Sequence, residues 1–197
     1  MTPNKLYDSP TTDGIILPTR IADPFDEDFE PQIMEVLMSL PIINRYNGHT
    51  SFPYSVAHHS LLVAEIAKYK YGYDKPHAQL MFLLHDAAEA YLQDLIRPLK
   101  RFSTNAYLEA EERITRKLFN AMLSKGQALD WQLPRFQHVV KEIDTRLALT
   151  EILFFFPEHE DPLPGWEPYD IEILFDSYHD IRIELITKVQ ALLEALR

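Results

Sequence analysis

The chain contains no cysteine. That absence excludes a disulfide framework, a thiolate metal site and a cysteine nucleophile, and it leaves His, Asp and Glu as the side chains able to hold a metal. Long apolar runs are missing too. No stretch approaches the roughly 18 consecutive apolar residues of a membrane-spanning helix, and the opening MTPNKLYDSPTTDG has no apolar core of the kind a secretory signal needs. A cytoplasmic location with no membrane partner is the expectation. Positive charge is scarce: 19 Lys and Arg stand against 30 Asp and Glu, for a formal net charge of -11. Such a chain repels polyanions, which argues against nucleic-acid binding through a general basic surface. Small anionic substrates stay open, because they need only a local cluster of cations or a metal.

What is there is ordinary for a globular fold: 46% hydrophobic and 25% charged over 197 residues, enough to bury a substantial core as one domain. Residues 1–29 carry Pro3, Pro10, Pro18 and Pro24 and suit an extended arm, with a strand hinted at only by Gly14-Ile15-Ile16-Leu17. From Pro31, apolar residues Ile33, Val36, Leu37 and Leu40 recur at helical spacing until Pro41. INRYNGHTSFPY, residues 43–54, reads as a polar and aromatic loop. Ser55 caps a second helix that Gly72 ends, and a third, from Pro76 to Tyr91, is apolar on nearly every side, as a central helix would be. After a turn at 94–100, a fourth helix opens at Ser103 or Thr104 and reaches Leu123. Gly126 to Pro134 reads as a connector and Pro134 to Phe155 as a long fifth helix. Four prolines and a glycine break residues 157–168, and helical periodicity returns from Tyr169 to Arg197 through Ile173, Leu174, Ile181, Leu185, Val189, Leu192 and Leu193. The expected architecture is an all-α bundle with a proline-rich arm (1–29), a core (30–156) and a C-terminal loop and helix (157–197).

His85 and Asp86 interrupt the apolar third helix, where a buried ionisable pair is costly unless a metal or hydrogen-bond partners compensate. Read alone, the doublet is a core histidine bonded to its neighbouring carboxylate. Adjacent helical positions diverge by about 100°, so both reach one metal only at the edge of the core, where a cleft opens. Glu89, four residues after His85 and three after Asp86, sets a carboxylate over the same face. His58 and His59 in SVAHHSLLVAEIA, and Asp144 in VVKEIDTRLALTEI, place further ligand types in apolar helices. Three helices then offer ligands toward one interior point, as bundle metal sites do. Of the two histidines, His59 shares the buried stripe of Leu62 and Val63; His58 is a neighbour of the ligand, a substrate contact or a solvated group. The loop at Arg45-Tyr46-Asn47-Gly48-His49 offers a guanidinium for phosphate, an aromatic face and a glycine that permits close approach. Asp94 is a second carboxylate or a cap, and Arg97 and Lys100 add positive charge or remain solvated. His77, His138, His159 and His179 show no partner pattern and read as surface or structural; Glu109, Glu111 and Glu112 read as a solvated face, and Phe154-Phe155-Phe156 as core or subunit interface rather than a base-stacking platform.

The ordered set His59, His85-Asp86 and Asp144 resembles the metal-binding signature of the HD-domain phosphohydrolase superfamily. YSVAHHSLLVA is similar to the family segment in which the ligand histidine precedes a serine, and HDAAEAYLQDLIRPLK is similar to that of bacterial 5′-deoxynucleotidases. The likeness covers residues 33–156; relatives often carry Glu or Gln where His58 stands, and the tail from Pro157 has no close parallel. It implies a compact HD-domain helical bundle with one divalent metal ion (Mn, Co, Mg, Zn, Fe or Ni) on His59, His85, Asp86 and Asp144. It further implies Glu89 as the residue that orients water or acts as general base, Asp94 beside the reacting phosphate, and nucleotide contacts from Arg45, Tyr46, His49 and Lys100. The expected reaction is hydrolysis of a (deoxy)nucleoside 5′-monophosphate to nucleoside and phosphate. The alternatives are release of tripolyphosphate from a dNTP, as in small phage-type triphosphohydrolases, and a sensor that binds a nucleotide without turning it over. The expected partner is thus a small-molecule nucleotide. Relatives are often oligomeric, so the apolar C-terminal helix either joins copies into a homo-oligomer or closes the core.

Overall fold

A computed structural model describes residues 7–10, 16–19, 23–100, 102–159 and 162–197. Two short strands, β1 (Tyr7–Pro10) and β2 (Ile16–Thr19), pair antiparallel with Tyr7 opposite Thr19 and Pro10 opposite Ile16. Of the strand expected at 14–17, Ile16 and Leu17 fall in β2, and Gly14 and Ile15 lie outside the described residues. The rest is helical: α1 (Ile33–Ser39), α2 (Val56–Tyr71), α3 (Pro76–Leu83), α4 (Glu89–Leu92), α5 (Arg97–Lys100), α6 (Asn105–Met122), α7 (Lys125–Asp130), α8 (Pro134–Phe155) and α9 (Tyr178–Glu194).

The helix ends are set by local chemistry. At the start of α2, Ser55 and His58 form a reciprocal capping box, and at its end Gly72 takes the left-handed conformation (φ 73°) that spares it a Cβ clash. Tyr73 then donates to the Ala67 carbonyl and Gly72 to that of Lys68, closing the last turn. Thr104 caps α6, settling the choice between Ser103 and Thr104, and Ser177 caps α9. Pro76 and Pro134 open α3 and α8 at first-turn positions, where no backbone N–H is required.

The centre of the molecule is the α2–α3 pair, with α8 packed on α2 and α9 packed on α1, α2 and α3. Leu37, Leu61, Val63, Leu80, Phe82, Leu147 and Leu185 bring five helices into one buried cluster. At about 1.5–3 kcal/mol for each fully buried large apolar side chain, this cluster dominates the stabilising side of the balance. The C-terminal helix closes the core through Ile181, Leu185 and Val189. No helix among the described residues is long and apolar enough to cross a membrane.

Three elements depart from the periodicity. The third helix does not run through to Tyr91: α winding stops at Leu84 (φ -116°, ψ 21°), and Ala87, Glu89, Ala90 and Tyr91 donate three residues back, so residues 84–91 wind more tightly. The reason is local, since His85 turns its Nδ1 onto the Phe82 carbonyl at 2.9 Å. The doublet therefore sits on a turn between α3 and α4 rather than inside a helix. The 126–134 connector contains α7, because Ser124 and Gln127 make a capping box that starts a helix despite Gly126. Residues 169–177 are extended instead of helical: Tyr169 and Ile173 are buried while Asp170, Glu172 and Leu174 face out, an alternation of period two. Tyr169 N–H donates to the Thr150 hydroxyl, and Ile173 packs with Tyr54 and Phe155.

Candidate metal centre and cavity

His59 lies in the first turn of α2 and is fully buried. Its Nδ1 stands 2.6 Å from Glu151 Oε1, a carboxylate that only accepts, so Nδ1 carries the ring proton and Nε2 presents a lone pair when the ring is neutral. His85 is arranged the same way, with Nδ1 on the Phe82 carbonyl. Both Nε2 atoms are buried and make no directed hydrogen bond. They converge on Asp86: its Oδ2 is 3.1 Å from His85 Nε2 and 3.9 Å from His59 Nε2. One donor atom from each of His59, His85 and Asp86 falls within 4.8 Å of the others. Two imidazole lone pairs and a carboxylate oxygen aimed at one point fit a divalent cation, and the carboxylate–histidine contact through Glu151 is the usual support of such a ligand.

Asp144 stands to one side of that group. Its Oδ1 is 3.2 Å from His59 Nε2, while its Oδ2 accepts from Arg97 Nη2 at 3.0 Å. Burial raises both carboxyls, but the cations outweigh it. His85, His59 and Arg45 hold Asp86 well below the usual carboxylate range, and His59 with Arg97 brings Asp144 down to about 2. Burial and Arg45 lower the His59 pKa, yet Glu151 and Asp144 raise it on balance to about 9.

The metal-free protein at neutral pH therefore keeps a proton on His59 that a cation must displace. In that form the raised pKa contributes stability fully below pH 6.5, fading as the pH climbs through about 9. Metal affinity should rise over the same window by up to about tenfold per pH unit. Calorimetric titration with Mn or Zn at pH 7 in two buffers of different ionisation heat should show release of about one proton; identical heats in both buffers would refute it.

Glu151 was not singled out by the sequence reading, and it is the hub of the site. It is 0% exposed and accepts from His59 Nδ1, Tyr54 Oη at 2.8 Å, Tyr46 Oη at 2.7 Å and Arg45 Nε at 3.2 Å. Burial raises its pKa, but Arg45 and His59 prevail and bring it down to about 2. A signal existed: Glu151 follows Asp144 by seven residues, two helical turns, so both lie on one face of α8.

The chain reaches this hub through a strained turn. Tyr46, Asn47 and Gly48 are consecutive left-handed residues with φ of 55°, 53° and 72°, a conformation disfavoured for Tyr by roughly 1–2 kcal/mol. Bonds from Arg45 N–H to the Tyr54 carbonyl and from Val56 N–H to that of Ile43 cinch the loop. Arg45 is thereby buried, its Nη1 3.7 Å from Asp86 Oδ2.

A second strained residue precedes Asp94. Gln93 has φ 68° and ψ 158°, a region almost reserved for glycine. Gln93→Gly should raise the unfolding free energy by about 1 kcal/mol in urea titration, the strain relieved less glycine's entropy in the unfolded chain. A loss of stability would show that the side chain fits there.

Glu89 is 2% exposed, and its Oε2 has no hydrogen-bond partner. Burial, then Asp86 and Asp94, push its pKa well above the usual carboxylate value. Its Oε1 is 3.8 Å from Lys100 Nζ, which is itself 3.2 Å from Glu111. Burial also raises Asp94, against the pull of Arg45. Arg45, Tyr46, Asp86, Glu89, Asp94, Arg97, Lys100 and Asp144 line one cavity of about 650 Å³, with the exposed His49 at its edge. That volume suits a small-molecule ligand. A second cavity of about 680 Å³ meets the first at Asp86, Lys141 and Asp144 and is lined in part by Glu111 and the exposed Glu112. His58 does not join the group: it caps α2, and its Nε2 is 3.2 Å from the Asp176 carbonyl.

A sequence profile described as an HD domain matches residues 45–153. Two curated proteins are also similar. One, an uncharacterized protein of Rhodobacter capsulatus, is 39% identical over 98 residues, which is 48% of this chain and 48% of that protein. The other, the uncharacterized protein YfdR of Escherichia coli strain K12, is 38% identical over 82 residues, 42% of each. The chain spans just under half the length of these relatives.

Proposed function

Starting from a chain that belongs to the HD-domain family of metal-dependent phosphohydrolases, we propose that it hydrolyses (deoxy)nucleoside 5′-monophosphates to nucleoside and phosphate. The observation that carries this is the pair of buried Nε2 atoms of His59 and His85, without hydrogen-bond partners, beside Asp86, which lines a cavity together with Arg45, Glu89, Asp94 and Lys100. His59, His85 and Asp86 would hold one divalent cation, with Asp144 beside them as the candidate fourth ligand, and the cation would supply charge that polarises a phosphoester.

The chain's own groups do the rest. Arg45, fixed by Glu151, and Lys100, beside Glu89, place positive charge where phosphoryl oxygens gather it. Among the described residues lining the cavity, Glu89 Oε2 is the one carboxylate oxygen that is buried without a hydrogen-bond partner, and burial beside Asp86 and Asp94 raises its pKa, which makes it a stronger proton acceptor than an ordinary carboxylate. Water adds to phosphorus as the ester P–O bond breaks; Glu89 takes one proton of the water and later returns it to solvent, and the departing nucleoside oxygen takes a proton from solvent. Asp94, on the same wall, orients the water. Glu111 and Glu112 across Asp86 favour a monophosphate, since a polyphosphate tail would meet like charge there.

Product analysis over mono-, di- and triphosphates with Mn, Co, Mg and Zn tests this reading. Inorganic phosphate from dAMP supports it, tripolyphosphate from dATP replaces it with triphosphohydrolysis, and tight binding with no product replaces it with a nucleotide sensor. Glu89→Ala should keep stoichiometric metal and lose about 10²–10⁴-fold in kcat; an unchanged kcat would remove Glu89 from the mechanism.

A further inference from the structure

The cavity is graded along α8. Asp144, Ala148 and Ile152 recur on one stripe of the helix and all line it, and the 1.5 Å rise separates Asp144 from Ile152 by roughly 12 Å. Charged groups gather at the Asp144 end. At the other end stand Tyr46, Ile152, Phe156, His159 and Leu163. The Phe156 and His159 rings lie within 30° of parallel at 6.1 Å between centroids, and the Tyr46 ring meets Phe156 edge-on at 5.6 Å. Tyr46 cannot swing away, because its hydroxyl is held by Glu151.

We infer that Phe156 and His159 form a stacking platform for the planar base of the substrate, opposite the phosphate end of the same cavity. The inference rests on the nucleotide reading above and adds the residues that select for a base. Three physical points support it. Half-buried Phe156, which also packs against the Tyr54, Phe155 and Ile173 cluster, and exposed His159 both line the cavity. An aromatic face that lines a cavity is a flat apolar surface, on which any base can stack. And the matched family segment ends at residue 153, so Phe156, His159 and Leu163 come from a part of the chain beyond it. Phosphate chemistry and base selection are thereby assigned to different stretches of sequence, with Arg45 and Tyr46 as the hinge between them.

The test is a selectivity ratio on the full-length, metal-loaded protein carrying Phe156→Ala and His159→Ala together. Stacking contributes about 1–3 kcal/mol per base, so kcat/KM for deoxynucleoside 5′-monophosphates divided by that for 2-deoxyribose 5-phosphate should fall roughly 5- to 150-fold, mostly through KM. His159→Phe with Phe156 intact should retain most of the ratio. A ratio equal to wild type in the double variant overturns the platform. Equilibrium dialysis of deoxyadenosine against the metal-free protein gives a second readout that needs no catalysis: binding to wild type and loss in the double variant supports the platform, and equal binding to both overturns it. If wild type binds deoxyadenosine yet hydrolyses no nucleotide, the platform stands as a base site and the nucleotidase reading fails.

Discussion

Glu151→Ala should lower the unfolding free energy by about 3–5 kcal/mol, the cost of breaking a buried ion pair by removing one partner. Against the roughly 5–15 kcal/mol of a typical domain, that is a large fraction. The cause is a stranded set of groups. Arg45 would keep its charge in a buried position, and the hydroxyls of Tyr46 and Tyr54 would lose their acceptor. His59 would lose the carboxylate that fixes its tautomer. Glu151→Gln, equal in volume, should recover part of the loss, because an amide oxygen still accepts from a tyrosine but cannot balance Arg45. Urea titration of the metal-free proteins measures both. A cost below about 1 kcal/mol for the alanine variant would mean that Arg45 escapes to water and that Glu151 is not the hub. In the loaded protein the same change should weaken metal affinity by about 10–100-fold, as loss of an outer support does.

Asp86→Ala should go further and abolish metal binding and turnover together, a loss well beyond the roughly 100-fold assigned to an outer partner. Asp86 is the carboxylate on which both histidines and Arg45 converge. Without it, the nearest carboxylate to the two imidazoles is Asp144, which is paired with Arg97, and the Arg45 guanidinium beside them opposes a cation. Asp86→Asn keeps the shape and removes the charge, and it should fail as completely. Metal content by elemental analysis after dialysis, read beside phosphate release from dAMP, decides the matter. Wild-type metal content in either variant would remove Asp86 from the centre. Asp144→Ala is the informative companion: frozen on Arg97, Asp144 contributes little, whereas as a fourth ligand its loss costs both metal and rate.

Much of this arrangement was legible in the residues because local rules and tertiary demands agreed. Ser55 and Gly72 bracket α2, Pro134 opens α8, and apolar periodicity marks α3 as central. Where they disagreed, a side chain had found a backbone partner that periodicity does not see. His85 bonds the Phe82 carbonyl and ends α winding early; Ser124 and Gln127 build α7 across a glycine. In residues 169–177 a period-two alternation was present but hidden by the helical stripe that follows it. The site shows the same division. Spacing placed His59, His85 and Asp86 near one point, and the coordinates bring them within reach of one ion. Glu151 escaped notice because a lone glutamate in an apolar helix gives no hint of the partners that reach it from residues 45, 46, 54 and 59. Phe156, read as core or interface, packs against the Tyr54, Phe155 and Ile173 cluster and also lines the cavity, just past the end of α8.

The tie between α2 and the C-terminal segment bears on which stretch of this chain is severable. All the proposed metal ligands and both proposed catalytic carboxylates fall inside the matched segment 45–153, which could suggest a portable catalytic unit. It is not one. His58, beside the ligand His59, spends its ring on the Ser55 cap and the Asp176 carbonyl, and α9 fills the side of α2 and α3 that the matched segment leaves open. The last quarter of the chain thus acts as a keystone. It contributes no proposed ligand, yet the turn that carries His59 is braced from there, so changes in residues 176–189 should reach the proposed metal centre without touching it.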